Sequence, residues 1–316
     1  MRTPAGIFMP KNYGTSYNKP AFNLEEQLDL LKSRGLDIPQ PERALHYLKF
    51  IGYYRLSGYC LFYQEKPSHS FKHGTTFDAV LDLYIFDRQL RLLVMDAMER
   101  IEVAVRACIT NTLSEKYGPH WYLNKDIFIG RYNHAELIRK IKFETGLSDS
   151  GGINSRKQET FLKHYFQKYH SPKLPPAWMV AEVMPLGVWS KIFRFLKLRD
   201  DQKKICKPFG IHYNIMESWL HCLTYLRNLC AHHSRLWNRR FSITPKVMKK
   251  YRQVLTPNSH FYAQAAMLHV FMHVIADGSK WQNRLATLFE KHDSIPLNAL
   301  GFPESWRNNP FWKISD

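Results

Sequence analysis

The 316-residue chain carries 45 Lys and Arg against 27 Asp and Glu, a formal charge of +18, and is 45% apolar and 14% aromatic. That much apolar and aromatic side chain excludes an intrinsically disordered polypeptide, and the length suffices for one large hydrophobic core or two small ones. A field of this sign favours polyanionic partners, nucleic acid or an anionic membrane surface, and charge alone does not separate the two.

Taken in chain order, the apolar residues recur with the helical period and nowhere with the alternation of a half-buried strand, so the expected class is all-α. Asn23 followed by Glu26 predicts a capping box opening NLEEQLDLLKSRG, with Leu24, Leu28 and Leu31 on one face and Gly35 as the stop. A second helix is expected after Pro41 and through HYLKFIGYYRLSGYCLFY, followed by the loop KPSHSFKHG. In that helix Ile51, Tyr54 and Leu61 read as core, although aromatics interleaved with an arginine also suit RNA stacking. Thr75 with Asp78 then caps a long segment to about Lys116. Its apolar face runs through Leu90, Val94, Ala97, Ile101 and Val105, opposite a charged face of Arg88, Arg91, Glu99, Glu102 and Arg106.

ETGLSDSGGINSRKQET, with Gly151 and Gly152 inside it, is expected to be a hinge or a disordered loop. After it come a basic aromatic helix in ETFLKHYFQKYH, the break SPKLPP, an apolar segment AWMVAEVMPLGVWSKIFRFL and the short DDQKKICKPFG. The last long helix is expected through FYAQAAMLHVFMHVIADGSKWQNRLATLFEKH. FLKHYFQKYHSPK, KKICK and KVMKKYRQ are candidates for sequence-independent phosphate contacts, and equally for plain solvated faces. This divides into an N-terminal helical extension over residues 1–65, packed on a helical domain over residues 75–316.

Between the last two of these segments stands RNLCAHH, Arg227 to His233. At about 100° per residue, Trp219, Cys222, Leu226, Cys230, His233, Leu236 and Trp237 share an apolar face. His221, Thr224, Tyr225, Asn228, His232, Arg235 and Arg239 share the other. His233 therefore reads as a core histidine, whereas His232 stands with Asn228 and arginines, where an imidazole can exchange a proton near neutral pH. An ordinary solvated helix face has the same appearance. A metal is disfavoured because the histidines and cysteines lie on different faces and the arginines repel a cation. The five cysteines, Cys60, Cys108, Cys206, Cys222 and Cys230, are scattered and never C-x-x-C, so they read as reduced core residues, not a disulfide frame or nucleophiles. The set suits a phosphate. Arg227 supplies a planar, permanently charged fork, Asn228 orients, His232 moves a proton, and Arg235, Arg239 and Arg240 extend the positive charge over an RNA backbone.

The pattern Arg227-Asn228-x-x-x-His232 resembles the R-x4-6-H signature of the HEPN superfamily of helical ribonucleases, and RNLCAHHSRLWNRRF is similar to the Abi-like family of bacterial abortive-infection proteins. LDLLKSRGL, YLKFIGYYRLSGY, AMERIEVAVRACI, LPPAWMVAEVMPLGVWSKIF and GFPESWRNNPFW resemble that family in the same order, from about Phe22 to Trp312. The resemblance implies a HEPN-like helical bundle with an N-terminal helical extension, and cleavage of RNA without a metal or other cofactor. The ribose 2′-OH would attack the phosphate, leaving a 2′,3′-cyclic phosphate and a 5′-OH. By the same resemblance, Arg227, Asn228 and His232 would be catalytic, and the partners would be RNA and a second copy of the chain, since HEPN sites commonly form where two units face each other. Glu99, Glu102 and Arg106 would line the same cleft and orient Arg227, unless they form only an intrahelical salt-bridge face. Relatives that work with a small noncoding RNA support a second reading, an RNA-binding regulatory or scaffold protein that holds RNA without cutting it. No run of about 18 apolar residues occurs and MRTPAGIFMPKNYG lacks the apolar core of a signal peptide, so a cytoplasmic location away from membranes is expected.

Overall fold

The structure, a computed structural model, describes residues 18–148, 152–154, 158–276 and 278–313. Among these residues thirteen α-helices form and no β-strand, which is the all-α class that the periodicity predicts. The chain divides between Tyr84 and Ile85 into two compact units. MRTPAGIFMPKNYG and, within ETGLSDSGGINSRKQET, Gly151 and five other residues lie outside the described residues.

In the first unit α1 (Leu24–Ser33) begins with the predicted capping box: Glu26 N–H donates to Asn23 Oδ1 at 2.8 Å, and Asn23 N–H donates to Glu26 Oε2 at 2.7 Å. Leu28 and Leu31 turn into the core, and Gly35 leaves the helix at φ +88°. The helix expected through HYLKFIGYYRLSGYCLFY is two, α2 (Pro41–Ile51) and α3 (Tyr53–Tyr63). Gly52 divides them at φ +89°, ψ 138°, a conformation open essentially to glycine alone. The break resets the helical phase, so Leu56, Tyr59 and Cys60 face inward while Phe50, Tyr54 and Leu61 are 70%, 93% and 47% exposed. Of the expected core residues Tyr54 and Leu61 are therefore surface, and Ile51 is half-buried. α4 (Phe77–Tyr117) is capped one residue later than predicted: Thr76 Oγ1 accepts from Ala79 N–H at 3.1 Å, while Thr75 donates to the Lys72 carbonyl.

The second unit contains the rest of α4, followed by α5 (His134–Glu144), α6 (Thr160–Lys168), α7 (Ala177–Val183), α8 (Leu186–Phe195), α9 (Arg199–Cys206), α10 (Tyr213–Ala231), α11 (Arg252–Leu255), α12 (Phe261–Ile275) and α13 (Trp281–Lys291). Along α4 Leu90, Val94, Ala97, Ile101 and Val105 are buried as predicted. Arg91, assigned to the charged face, is only 5% exposed because it pairs with buried Asp87 one turn earlier. Pro185 divides the apolar segment into α7 and α8: it has no N–H to continue a helix but fits the start of the next one. The last expected helix also divides, into α12 and α13, with Gly278 at φ +70° between them.

From Phe261 through Met272 every residue of α12 is buried, the signature of a helix enclosed on all sides. It packs with α11 and α13, while α10 packs with α8 and α9. Five fully buried tryptophans supply the largest core volumes, and three are tied to backbone: Trp219 Nε1 donates to Lys246 O and Trp281 Nε1 to Leu93 O, each at 2.9 Å, and Trp189 Nε1 to Met184 O at 3.3 Å. No described helix is long and apolar enough to cross a membrane.

Candidate functional site

α10 begins behind His212, whose Nδ1 accepts from Asn214 N–H at 3.3 Å. From there Asn214, the pair Glu217 and Ser218, His221, Thr224 and Asn228 recur at three- or four-residue steps, so one polar face runs down the helix. That face is one wall of a groove of about 720 Å³. The facing wall is α8, which contributes Gly187, Val188, Ser190, Lys191 and Arg194; Pro185 just before it, Lys140 of α5 and Lys246 complete the lining. Small size at position 187 permits the close approach of the two helices, since a Cβ there would stand 3.2 Å from Thr224 Cγ2. Lys246 is fixed through its own backbone: its N–H donates to Ser218 Oγ at 2.9 Å and its carbonyl accepts from Trp219.

The groove is basic. Lys140, Lys191, Arg194 and Lys246 face one carboxylate, Glu217, which is engaged by Arg194 at 3.1 Å. The first turn of α8 also borders it, and the N–H groups of a first helical turn lack intrahelical acceptors and carry partial positive charge. This is an environment for a chain of phosphates. Lys246 begins KVMKKYRQ, one of the segments expected to contact phosphates; Lys140, Lys191 and Arg194 lie outside those segments, yet Gly187, Ser190, Lys191 and Arg194 stand at helical spacing on an otherwise apolar segment.

RNLCAHH closes α10. Asn228 lines the groove, Arg227 is half-buried beside it, and exposed His232 caps the helix C-terminus. His233, expected in the core, is exposed at φ +55°. It occupies the left-handed position of a Schellman turn: its N–H donates to Cys230 O at 3.0 Å, and Ser234 N–H donates to Leu229 O at 2.8 Å. The helix therefore ends at Ala231, and Arg235 and Arg239 are not carried on its polar face. Arg239 Nε donates to the Arg235 carbonyl at 2.6 Å, Arg240 is exposed, and Arg235, Arg239 and Arg240 do not line the groove.

Leu236 and Trp237 are nevertheless buried, because Asp87 reels them in: its Oδ1 accepts from Leu236 N–H at 3.0 Å and Trp237 N–H at 2.7 Å, while Oδ2 meets the Arg91 guanidinium. The Asp87–Arg91 pair thus anchors the chain where it leaves RNLCAHH. Sequence reading missed Asp87, although it falls on the apolar face with Leu83, Leu90 and Val94, where an acid has no place unless it is paired. The ion pair expected from this helix to Arg227 is not made among the described residues. Glu102 engages Arg106 one turn on, and Glu99 is exposed.

Among the described residues no cluster of three or more His, Cys, Asp or Glu forms a metal-holding group. All five cysteines are free, and burial pushes Cys60, Cys206, Cys222 and Cys230 up to about 12. At pH 8 such a thiol is about one part in ten thousand thiolate. Alkylation of the folded protein at that pH is expected to modify half-buried Cys108 first and the other four only on unfolding, read by peptide mass spectrometry. Equal labelling of Cys230 would contradict this packing.

A family model described as Abi-like protein matches residues 46–238, a narrower span than the resemblance read from Phe22 to Trp312 but one that contains α3 to α10 and all of RNLCAHH. No curated protein and no solved structure matches the chain.

Proposed function

The chain belongs to the Abi-like protein family, and on that premise we propose that it is a metal-independent HEPN-type endoribonuclease acting in phage defence, in the cytoplasm, as a homodimer. One observation carries the reading: the polar face of α10 that bears Asn228 is the wall of a basic groove, with Arg227 and His232 on either side of that asparagine. The groove holds the RNA backbone by its phosphates. At the helix end a ribose 2′-OH attacks the adjacent phosphorus, the 2′ proton passes to a base, and the departing 5′ oxygen takes a proton, leaving a 2′,3′-cyclic phosphate and a 5′-OH. His232 serves the proton transfers, Arg227 stabilises the charge that builds on the phosphoryl oxygens, and Asn228 orients the reacting groups. Two such sets, one from each protomer, supply the base and the acid together. Arg240 extends the phosphate track beyond the helix. The test is cleavage of RNA in EDTA with cyclic-phosphate ends.

A second reading, a non-cleaving RNA-binding protein that holds a small noncoding RNA, is favoured by the fact that Asn228 alone of the three motif residues lines the groove. Both readings place RNA between α8 and α10. Lys140→Glu/Lys191→Glu is therefore expected to weaken RNA binding and to flatten the plot of log affinity against log salt by about 0.7 for each phosphate that is no longer neutralised, measured by fluorescence anisotropy. An unchanged slope would remove the groove from the interface.

A further inference from the structure

Beside the groove, along the same residues of α8, lies a second depression of about 330 Å³. The two share Lys140, Val188, Lys191 and Arg194, so a strand lying on these cations touches both. Their linings differ in chemistry. The first is polar and cationic, whereas the second contains an aromatic platform in which Tyr132 and Phe195 stack with ring centres 5.1 Å apart and planes 27° apart. The guanidinium groups of Arg194 and Arg131 lie over the Phe195 ring at 5.4 and 5.8 Å.

We infer that this depression is a subsite for an unpaired nucleobase of the RNA whose phosphates occupy the neighbouring groove. The inference rests on the RNA reading above and deepens it: the substrate is single-stranded at this point, and its register in the groove is set by a captured base. Flat aromatic and guanidinium surfaces offer stacking that a phosphate does not use, and every base has a face to present to them. Burial raises the Tyr132 hydroxyl above the usual phenol range, so the ring stays neutral at physiological pH and places no anion beside the backbone. The one acid of the subsite, Glu136, opposes a phosphate but suits a base edge, since a carboxylate accepts from an exocyclic amino group. Asn133 spends its Oδ1 on Glu136 N–H at 3.0 Å as the cap of α5, which leaves its amide N–H₂ to donate to a base carbonyl. A base duplexed with a complementary strand has neither its face nor its edge free for this pocket.

The experiment uses a short fluorescent 2′-O-methyl RNA, which resists cleavage through the 2′ position, with one abasic residue moved along it position by position. For the full-length protein one position is expected to be sensitive, losing about 5- to 100-fold in affinity while the others change little. A 6-thioguanosine at that position is expected to photocrosslink to the peptide bearing Tyr132 or the one bearing Phe195, a readout that needs no variant. In Phe195→Leu, checked for folding by circular dichroism, the abasic penalty is expected to vanish, and Arg131→Ala, which removes only an exposed side chain, is expected to reduce it. Tight binding with a flat abasic profile, a crosslink elsewhere, or equal affinity for duplex RNA would overturn the subsite and leave the groove reading standing. Absence of RNA binding by the wild type at low salt would overturn both.

Discussion

Asp87→Ala is expected to lower the thermal unfolding midpoint of the protein by roughly 10 °C. The carboxylate is fully buried and serves three groups at once, the N–H of Leu236, the N–H of Trp237 and the guanidinium of Arg91. Its removal takes the acceptor from two buried N–H groups and the carboxylate from a buried guanidinium, a change that costs about 3–5 kcal/mol. For a unit of this size each kcal/mol moves the midpoint by about 2–4 °C. Asp87→Asn keeps an oxygen for the two N–H groups but turns an NH2 toward the Arg91 guanidinium, so it loses the charge and the acceptor on that side only and its loss is expected to be smaller. Asp87→Ala/Arg91→Met removes the buried guanidinium as well and is expected to recover part of the Asp87→Ala loss, because the penalty of a broken buried pair resides largely in the charge left behind. Tryptophan-fluorescence melts of the four proteins measure all of this. A midpoint for Asp87→Ala within about 2 °C of the wild type would show that the anchor is dispensable. The consequence reaches the site, since the segment Asp87 holds begins four residues after His232.

This anchor also illustrates which features could be read in the sequence and which could not. The capping box of α1 was legible because Asn23 and Glu26 encode it locally, within one turn. The all-α class and the polar face of α10 were legible because periodicity survives whatever the helix packs against: His221, Thr224 and Asn228 face the groove as their spacing requires. Periodicity does not report where a helix stops. Glycine marked the breaks at Gly52 and Gly278, but the apolar runs resuming on the far side of each, at once after Gly52 and from Trp281 after Gly278, made the segments read as continuous. The end of α10 gave less warning still, because no glycine stands there: the left-handed turn is taken by His233, a residue that tolerates it better than most but does not signal it. Extending the wheel past Ala231 misplaced His233, Arg235 and Arg239 together. The groove cations were scattered over α5, α8 and the segment after α10, and only tertiary packing brings Lys140, Lys191, Arg194 and Lys246 to one place.

That separation of the groove cations from the helix end makes the catalytic prediction sharp. His232→Ala is expected to reduce RNA cleavage in EDTA by about 10²- to 10⁴-fold, the range for losing a positioned proton-transfer group, and Arg227→Ala by about 10²- to 10³-fold, the range for losing a donor to developing negative charge. Neither change should disturb the fold much: His232 is exposed at a helix terminus and Arg227 is half-buried with no ion pair among the described residues. Neither should cost more than a few-fold in RNA affinity, because the four groove cations are untouched. A substrate 2′-O-methylated at the scissile nucleotide should resist the wild type, since the attacking hydroxyl is gone, and cyclic-phosphate ends should disappear with it. Single-turnover cleavage, binding isotherms and melting curves on the same preparations separate chemistry from binding and from folding. Undiminished cleavage by His232→Ala would sink the proton-transfer role. One defined RNA bound equally by wild type and variants, and cut by none of them, would instead make the groove a holding site, with Arg227 and His232 as contacts at its end, and the protein a ribonucleoprotein component.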